Sequence, residues 1–200
     1  MRIGAARSID FITVVLLVSA LIAAAGCSGD RPDGDTATNG DAGEKSGGST
    51  EHDQSKSVPS GLVLRGLDGR DVTMSEFEGK LVVLNFWAAW NDDSRTLIEI
   101  MNAMYSRFSR QFQFLAVSMD KGGAPVIRSF MLENPILCDV FVNGDEVARA
   151  VGGIGKIPAT VVIYEDGRII RRMEGLYRKN QYEKLFASIL QYRIATRRGR

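Results

Sequence analysis

The chain has 200 residues, 44% of them hydrophobic, which suits one ordinary globular domain with accessory segments. Its 25 lysines and arginines nearly balance 24 acids, for a formal net charge of +1. No global field therefore recruits nucleic acid or an acidic partner, and no motif calls for a cofactor or a metal.

Arg2 and Arg7 precede an apolar run from Phe11 to Ala25 that ends in small residues directly before Cys27. This is the layout of a signal peptide over residues 1–26, and the run is shorter than the roughly 20 residues a spanning helix needs. Ala24, Ala25, Gly26 and Cys27 resemble the lipobox of bacterial lipoproteins, with Ala24 where that family prefers Leu. The resemblance implies that Cys27 is diacylated and becomes the mature N-terminus, holding the chain to a membrane on its extracytoplasmic side. Residues 27–60 are rich in Gly, Ser, Thr, Asp and Asn, a composition that cannot offset the entropy of ordering. They read as a tether with a span of roughly 30 Å, and the only histidine, His52, lies there.

Gly61 to Arg65 and Asp71 to Met74 flank a turn-rich Gly66-Leu67-Asp68-Gly69 and predict an opening hairpin. Leu81 to Phe86 is apolar apart from Asn85, as in a strand buried on both faces. Leu97, Met101, Met104, Tyr105 and Phe108 recur at helical spacing and predict a helix from about Asp92 to Arg110. Phe112 to Ser118 is strand-like, and Pro125 opens a helix carrying Val126, Ile127, Phe130 and Met131 that Pro135 ends. A strand over Ile136 to Val140, a short helix over Glu146 to Val151 and a strand over Ala159 to Tyr164 follow. Glu165-Asp166-Gly167-Arg168 turns the chain into a hairpin strand, Ile169 to Glu174. Tyr182, Leu185, Phe186, Ile189 and Leu190 mark the buried face of a last helix. Residues 193–200 read as a basic, solvated tail.

The order β-α-β-α-β-α-β-β-α over residues 61–192, parallel crossovers first and an antiparallel hairpin last, predicts a three-layer α/β/α sandwich with a mixed central sheet. Three segments add a family to that fold. Leu84-Asn85-Phe86-Trp87-Ala88-Ala89-Trp90, Gly155-Lys156-Ile157-Pro158-Ala159-Thr160 and Glu165-Asp166-Gly167-Arg168-Ile169 resemble the thioredoxin superfamily, and in particular its membrane-tethered, periplasmic TlpA-like thiol-disulfide oxidoreductases. The resemblance implies a thioredoxin-like domain with an N-terminal hairpin extension and a cis-proline at Pro158.

It also locates a loss. In that family the Trp-rich strand end leads into Cys-x-x-Cys, whose first thiol attacks as a thiolate and whose second resolves the mixed disulfide. The matching positions here are Asn91 and Ser94. Neither can exchange disulfides, and no histidine in the folded part exists to activate Ser94 for hydrolysis. Asn91-Asp92-Asp93-Ser94 reads instead as a helix start, with Asn91 as N-cap and two carboxylates in the first turn. Adjacent helix positions do not face one another, which argues against Asp92 and Asp93 as a metal site. Alternation puts the one remaining cysteine, Cys138, on the same strand face as Ile136 and Val140 and favours a buried thiol over a reactive one.

The leading expectation is a redox-inactive lipoprotein that binds extended polypeptide or a partner protein in a groove formed by Trp87, Trp90, Asp92, Asp93, Ile157 and Pro158. The alternative is a thiol-disulfide oxidoreductase or peroxidase acting through Cys138, alone or with a partner's cysteine.

Overall fold

The computed structural model describes residues 56–198. The signal segment, Cys27 and the tether up to residue 55 lie outside the described residues. The elements are β1 (Val63–Arg65), β2 (Asp71–Thr73), a 3-10 turn (Met74–Phe77), β3 (Leu81–Trp87), α1 (Asp92–Phe108), β4 (Phe112–Ser118), α2 (Gly123–Glu133), β5 (Asp139–Phe141), α3 (Gly144–Ala150), β6 (Ala159–Ile163), β7 (Ile169–Glu174) and α4 (Lys179–Arg198). Five strands form one mixed sheet in the order β5-β4-β3-β6-β7, and β1 and β2 form a separate antiparallel hairpin. The expected thioredoxin-like α/β architecture with its hairpin extension is the one observed.

β3 lies at the centre, parallel to β4 and antiparallel to β6, and every one of its residues is buried. Successive side chains of a strand point to opposite faces, so its apolar residues feed two cores. Val82, Leu84 and Phe86 join Leu64, Phe141, Val147 and Val161. Leu81 and Val83 join Leu97, Met104, Phe112, Phe186 and Tyr182 under α1 and α4. A third cluster, built on Trp87, Ile98, Ile127 and Phe130, ties α1 and α2 to the end of the sheet.

Several boundaries shift by a residue or two from the expectation, and four departures have a visible reason. β5 is Asp139–Phe141 rather than Ile136 to Val140, because Asn102 of α1 captures the preceding segment. Its Nδ2 donates to the Pro135 carbonyl at 2.7 Å and its Oδ1 accepts the Leu137 N–H at 3.1 Å, so Leu137 has no ladder partner to seek. α2 begins at Gly123, which at φ 64° enters the helix from the left-handed region, two residues before Pro125. α4 runs on to Arg198, so residues 193–198 are helix and not tail. Arg193 and Arg197 of that last stretch both pair with Glu165. Residues before 61 already join the domain: Ser57 bridges Arg168, Val58 N–H donates to the Gly167 carbonyl at 3.0 Å, and Val58 is buried.

That segment lies along the start of β7, one edge of the sheet. The other edge, β5, is met by the hairpin through a Gly66–Phe141 bridge, with Val142 N–H donating to Arg65 and Leu67 N–H to Val140. Gly66 is required there, since a Cβ would stand 2.3 Å from the Arg70 carbonyl oxygen.

Candidate functional site

The site expected from sequence lies where β3 and β4 end and the antiparallel β6 begins. Phe86 pairs with Ala159 and Trp87 with Ser118, so Trp87, Ser118 and the residue before Ala159, Pro158, come to one end of the sheet. The Ile157–Pro158 bond is cis, as the resemblance implied.

From that end the chain turns through Ala88–Asn91 into α1. Asn91 is the N-cap: its Oδ1 accepts the Ser94 N–H at 2.9 Å and also the Ser94 hydroxyl at 3.1 Å. Ser94 is fully buried, and its Oγ in turn accepts the Ala88 N–H at 3.2 Å. The two residues in the places of the family's thiols are therefore bonded to each other and to the turn. Asp92 and Asp93 occupy the first turn, where the helix dipole favours negative charge. Both are exposed, and Asp92 pairs with Arg95 at 3.1 Å.

The two tryptophans divide. Trp90 is 69% exposed, whereas Trp87 is fully buried against Phe130 with ring centroids 5.0 Å apart, and among the described residues its Nε1 has no hydrogen-bond partner. Trp87 thus belongs to the core and not to a binding surface. Pro158 is buried as well, and Ile157 is half-buried against the first core. Among the described residues, the Ile157 backbone N–H and C=O make no hydrogen bond.

Two carboxylates that sequence reasoning did not single out hold the two loops of this site. Asp120, just beyond β4, is buried. It accepts the Ala89 N–H at 3.0 and 3.2 Å and the Ser118 hydroxyl at 2.8 Å, which fixes the turn carrying Trp90. Glu174, at the end of β7, accepts the N–H groups of Gly155 and Lys156 at 3.2 and 3.1 Å, which fixes the approach to Pro158. Their signal is only positional: each is a lone acid at the end of an otherwise apolar or basic strand.

Cys138 stands apart from these residues, before β5 at the level where Asp139 pairs with Leu115. It is half-buried and packs against both the second and third clusters. Burial, aided by the charge of Asp139, pushes its thiol up to about 12 from 9.0. At neutral pH it is a thiol and not a thiolate, the form that attacks disulfides.

Residues 56–172 match the model of the AhpC/TSA family. The chain belongs to that family. Among curated relatives, the thiol-disulfide oxidoreductase ResA of Geobacillus thermodenitrificans is 30% identical over 132 residues, and that of Bacillus thuringiensis subsp. konkukian is 27% identical over 132. Each match takes in 64% of this chain and 74% of the relative. Among solved structures, a thiol:disulfide interchange protein DsbE from Chlorobium tepidum superposes with a TM-score of 0.61 at 26% identity, over 70% of this chain and 98% of that one. A secreted Mycobacterium tuberculosis disulfide oxidoreductase shares the fold at a TM-score of 0.57 and 14% identity, over 64% of this chain and 96% of the other. This AhpC/TSA member is thus a thioredoxin-superfamily redoxin of the thiol-disulfide oxidoreductase kind, with an Asn-Ser hydrogen bond where the TlpA-like pattern places Cys-x-x-Cys.

Proposed function

We propose that this chain is an extracytoplasmic, lipid-anchored redoxin that no longer exchanges disulfides and instead holds an extended polypeptide or partner protein beside Trp90 and Pro158. One observation carries the reading: Asn91 and Ser94 spend their side chains on each other and on the start of α1. Dithiol exchange of the Cys-x-x-Cys kind needs two exchangeable sulfurs at that place. What stands around the positions is a means of holding a peptide. Trp90 offers a large exposed aromatic surface, and Ile157 has a free backbone donor and acceptor, the elements of strand addition with an aromatic anchor. The anchor rests on the lipobox-like Ala24-Ala25-Gly26-Cys27, and labelled fatty acid should enter the wild type and not Cys27→Ser.

The kinship with thiol-disulfide oxidoreductases favours a second reading, exchange through Cys138. Insulin reduction by dithiothreitol separates the two. Proposed here is a rate equal to the uncatalysed background, unchanged in Cys138→Ser. Turnover that Cys138→Ser abolishes would establish the second reading. Capture of partners from native membranes, lost in Trp90→Ala, tests the binding role itself.

A further inference from the structure

A cleft of about 670 Å³ runs between β7 and α4, within the roughly 300–1,000 Å³ of small-molecule sites. It belongs to the far end of the sheet from Pro158, since Tyr164 and Arg168 beyond β6 help to line it. Ile170, Leu185 and Ile189 make its walls apolar, and Tyr164 and Tyr192, 6.1 Å apart at their ring centroids, meet at one side.

Among the described residues, the charged side chains that line it are all of one sign: Arg168, Arg171 and Lys184. Asp166 neutralises Arg168 at 2.8 Å. Arg171 and Lys184 form no ion pair among the described residues, and the Nε of Arg171 is buried without a hydrogen-bond partner. That Nε is closed off from the cleft, and an anionic group entering it would instead meet the outer guanidinium nitrogens of Arg171, which hold no partner among the described residues, and the Lys184 ammonium. Inorganic phosphate would leave the apolar walls wet. The acidic Glu51-His52-Asp53-Gln54 just upstream of Lys56 has charge but no apolar side chain to cover them.

We propose that this cleft binds a single-chain carboxylate amphiphile of the fatty-acid type. Its alkyl chain lies along Ile170, Leu185 and Ile189, and its carboxylate meets Arg171 and Lys184. The pairing joins apolar burial with charge-assisted hydrogen bonds, which are stronger than neutral ones.

The test uses the full chain in phosphatidylcholine nanodiscs with a photoactivatable palmitic acid, or the corresponding alcohol, and maps the crosslinked peptides. The acid should label peptides of β7 and α4, be displaced by unlabelled palmitate, and exceed the alcohol. Lys184→Glu should lower that labelling by about tenfold or more while Lys184→Arg retains it. Leu185→Trp, filling the cleft, should abolish labelling with an unchanged circular dichroism spectrum; Lys184 is exposed, so its variants serve if Leu185→Trp does not fold. Equal labelling by acid and alcohol, labelling indifferent to Lys184→Glu, or labelling only outside β7 and α4 would overturn the proposal. So would labelling that appears only after Glu51→Gln and Asp53→Asn, which would assign the cleft to the chain's own acidic segment.

Discussion

Both carboxylate oxygens of Asp120 lie within 3.2 Å of the Ala89 backbone nitrogen, so a side chain beyond β4 sets the turn that presents Trp90. Removing it strands the Ala89 N–H and the Ser118 hydroxyl, both bonded to it now. Asp120→Ala should cost about 1–3 kcal/mol in chemical denaturation and accelerate amide exchange at Ala89. Unchanged exchange there would show that the turn is held by other contacts.

The tryptophans should separate in the same assay. Trp87→Ala empties a site that is fully buried against Phe130 and should cost about 3–5 kcal/mol. Trp90→Ala removes a side chain that is 69% exposed and should stay within about 0.5 kcal/mol of wild type. A partner lost on Trp90→Ala is then lost through binding and not through unfolding.

Cys138 should make stability depend on alkaline pH. Its folded pKa, about 12, lies above the ordinary value of 9.0, so in that window the folded state holds a proton that the unfolded state has released. The contribution is full below pH 9 and is lost as pH rises toward 12. Denaturation from pH 8 upward should show a decline that Cys138→Ala lessens, and iodoacetamide should modify the native thiol far more slowly than the unfolded one. Parallel curves for the two proteins would refute the assignment.

Returning two cysteines tests how much of the exchange site survives. The Asn91 Oδ1 and Ser94 Oγ are 3.1 Å apart, so the double variant Asn91→Cys/Ser94→Cys should close a disulfide under mild oxidation. Its insulin reduction should exceed background yet stay slow, because Asp92 and Asp93 beside the nucleophile raise its pKa. Failure to form the disulfide would mean that the start of α1 has changed shape as well as chemistry.

Where one local signal decided the structure, the sequence was readable. Phe112–Ser118 and Ile169–Glu174 fall at the residues expected, since an apolar strand and a tight Asp-Gly turn each carry their own boundary. The strand at Ile136 to Val140 was misplaced because a side chain 35 residues upstream, Asn102, captures Leu137, and no local pattern reports a long-range capture. Asn91 as N-cap was legible from its neighbours, being a matter of three residues. The burial of Trp87 was not: β3 is covered on both faces, so alternation cannot tell its inward residues from outward ones, and Trp87 at its end looked like Trp90 in the turn beyond. Asp120 and Glu174 escaped notice because their partners are backbone amides distant in the chain, which carry no signature in composition.

The covering of both sheet edges by residues 56–67 fixes an order of events. The earliest stretch of the folded domain to be synthesised finds its partners around Val140 and Arg168, more than 70 residues later in one case and about 110 in the other. Contacts so distant along the chain are slow to form. The β5 flank can be met by residues 65–67 as soon as Val140–Val142 have emerged, but the opposite flank keeps unpaired backbone groups until residues 167–169 are made, a state exposed to stray association. The first residues of the domain to be made, 56–58, therefore wait for their place until most of the domain has been synthesised.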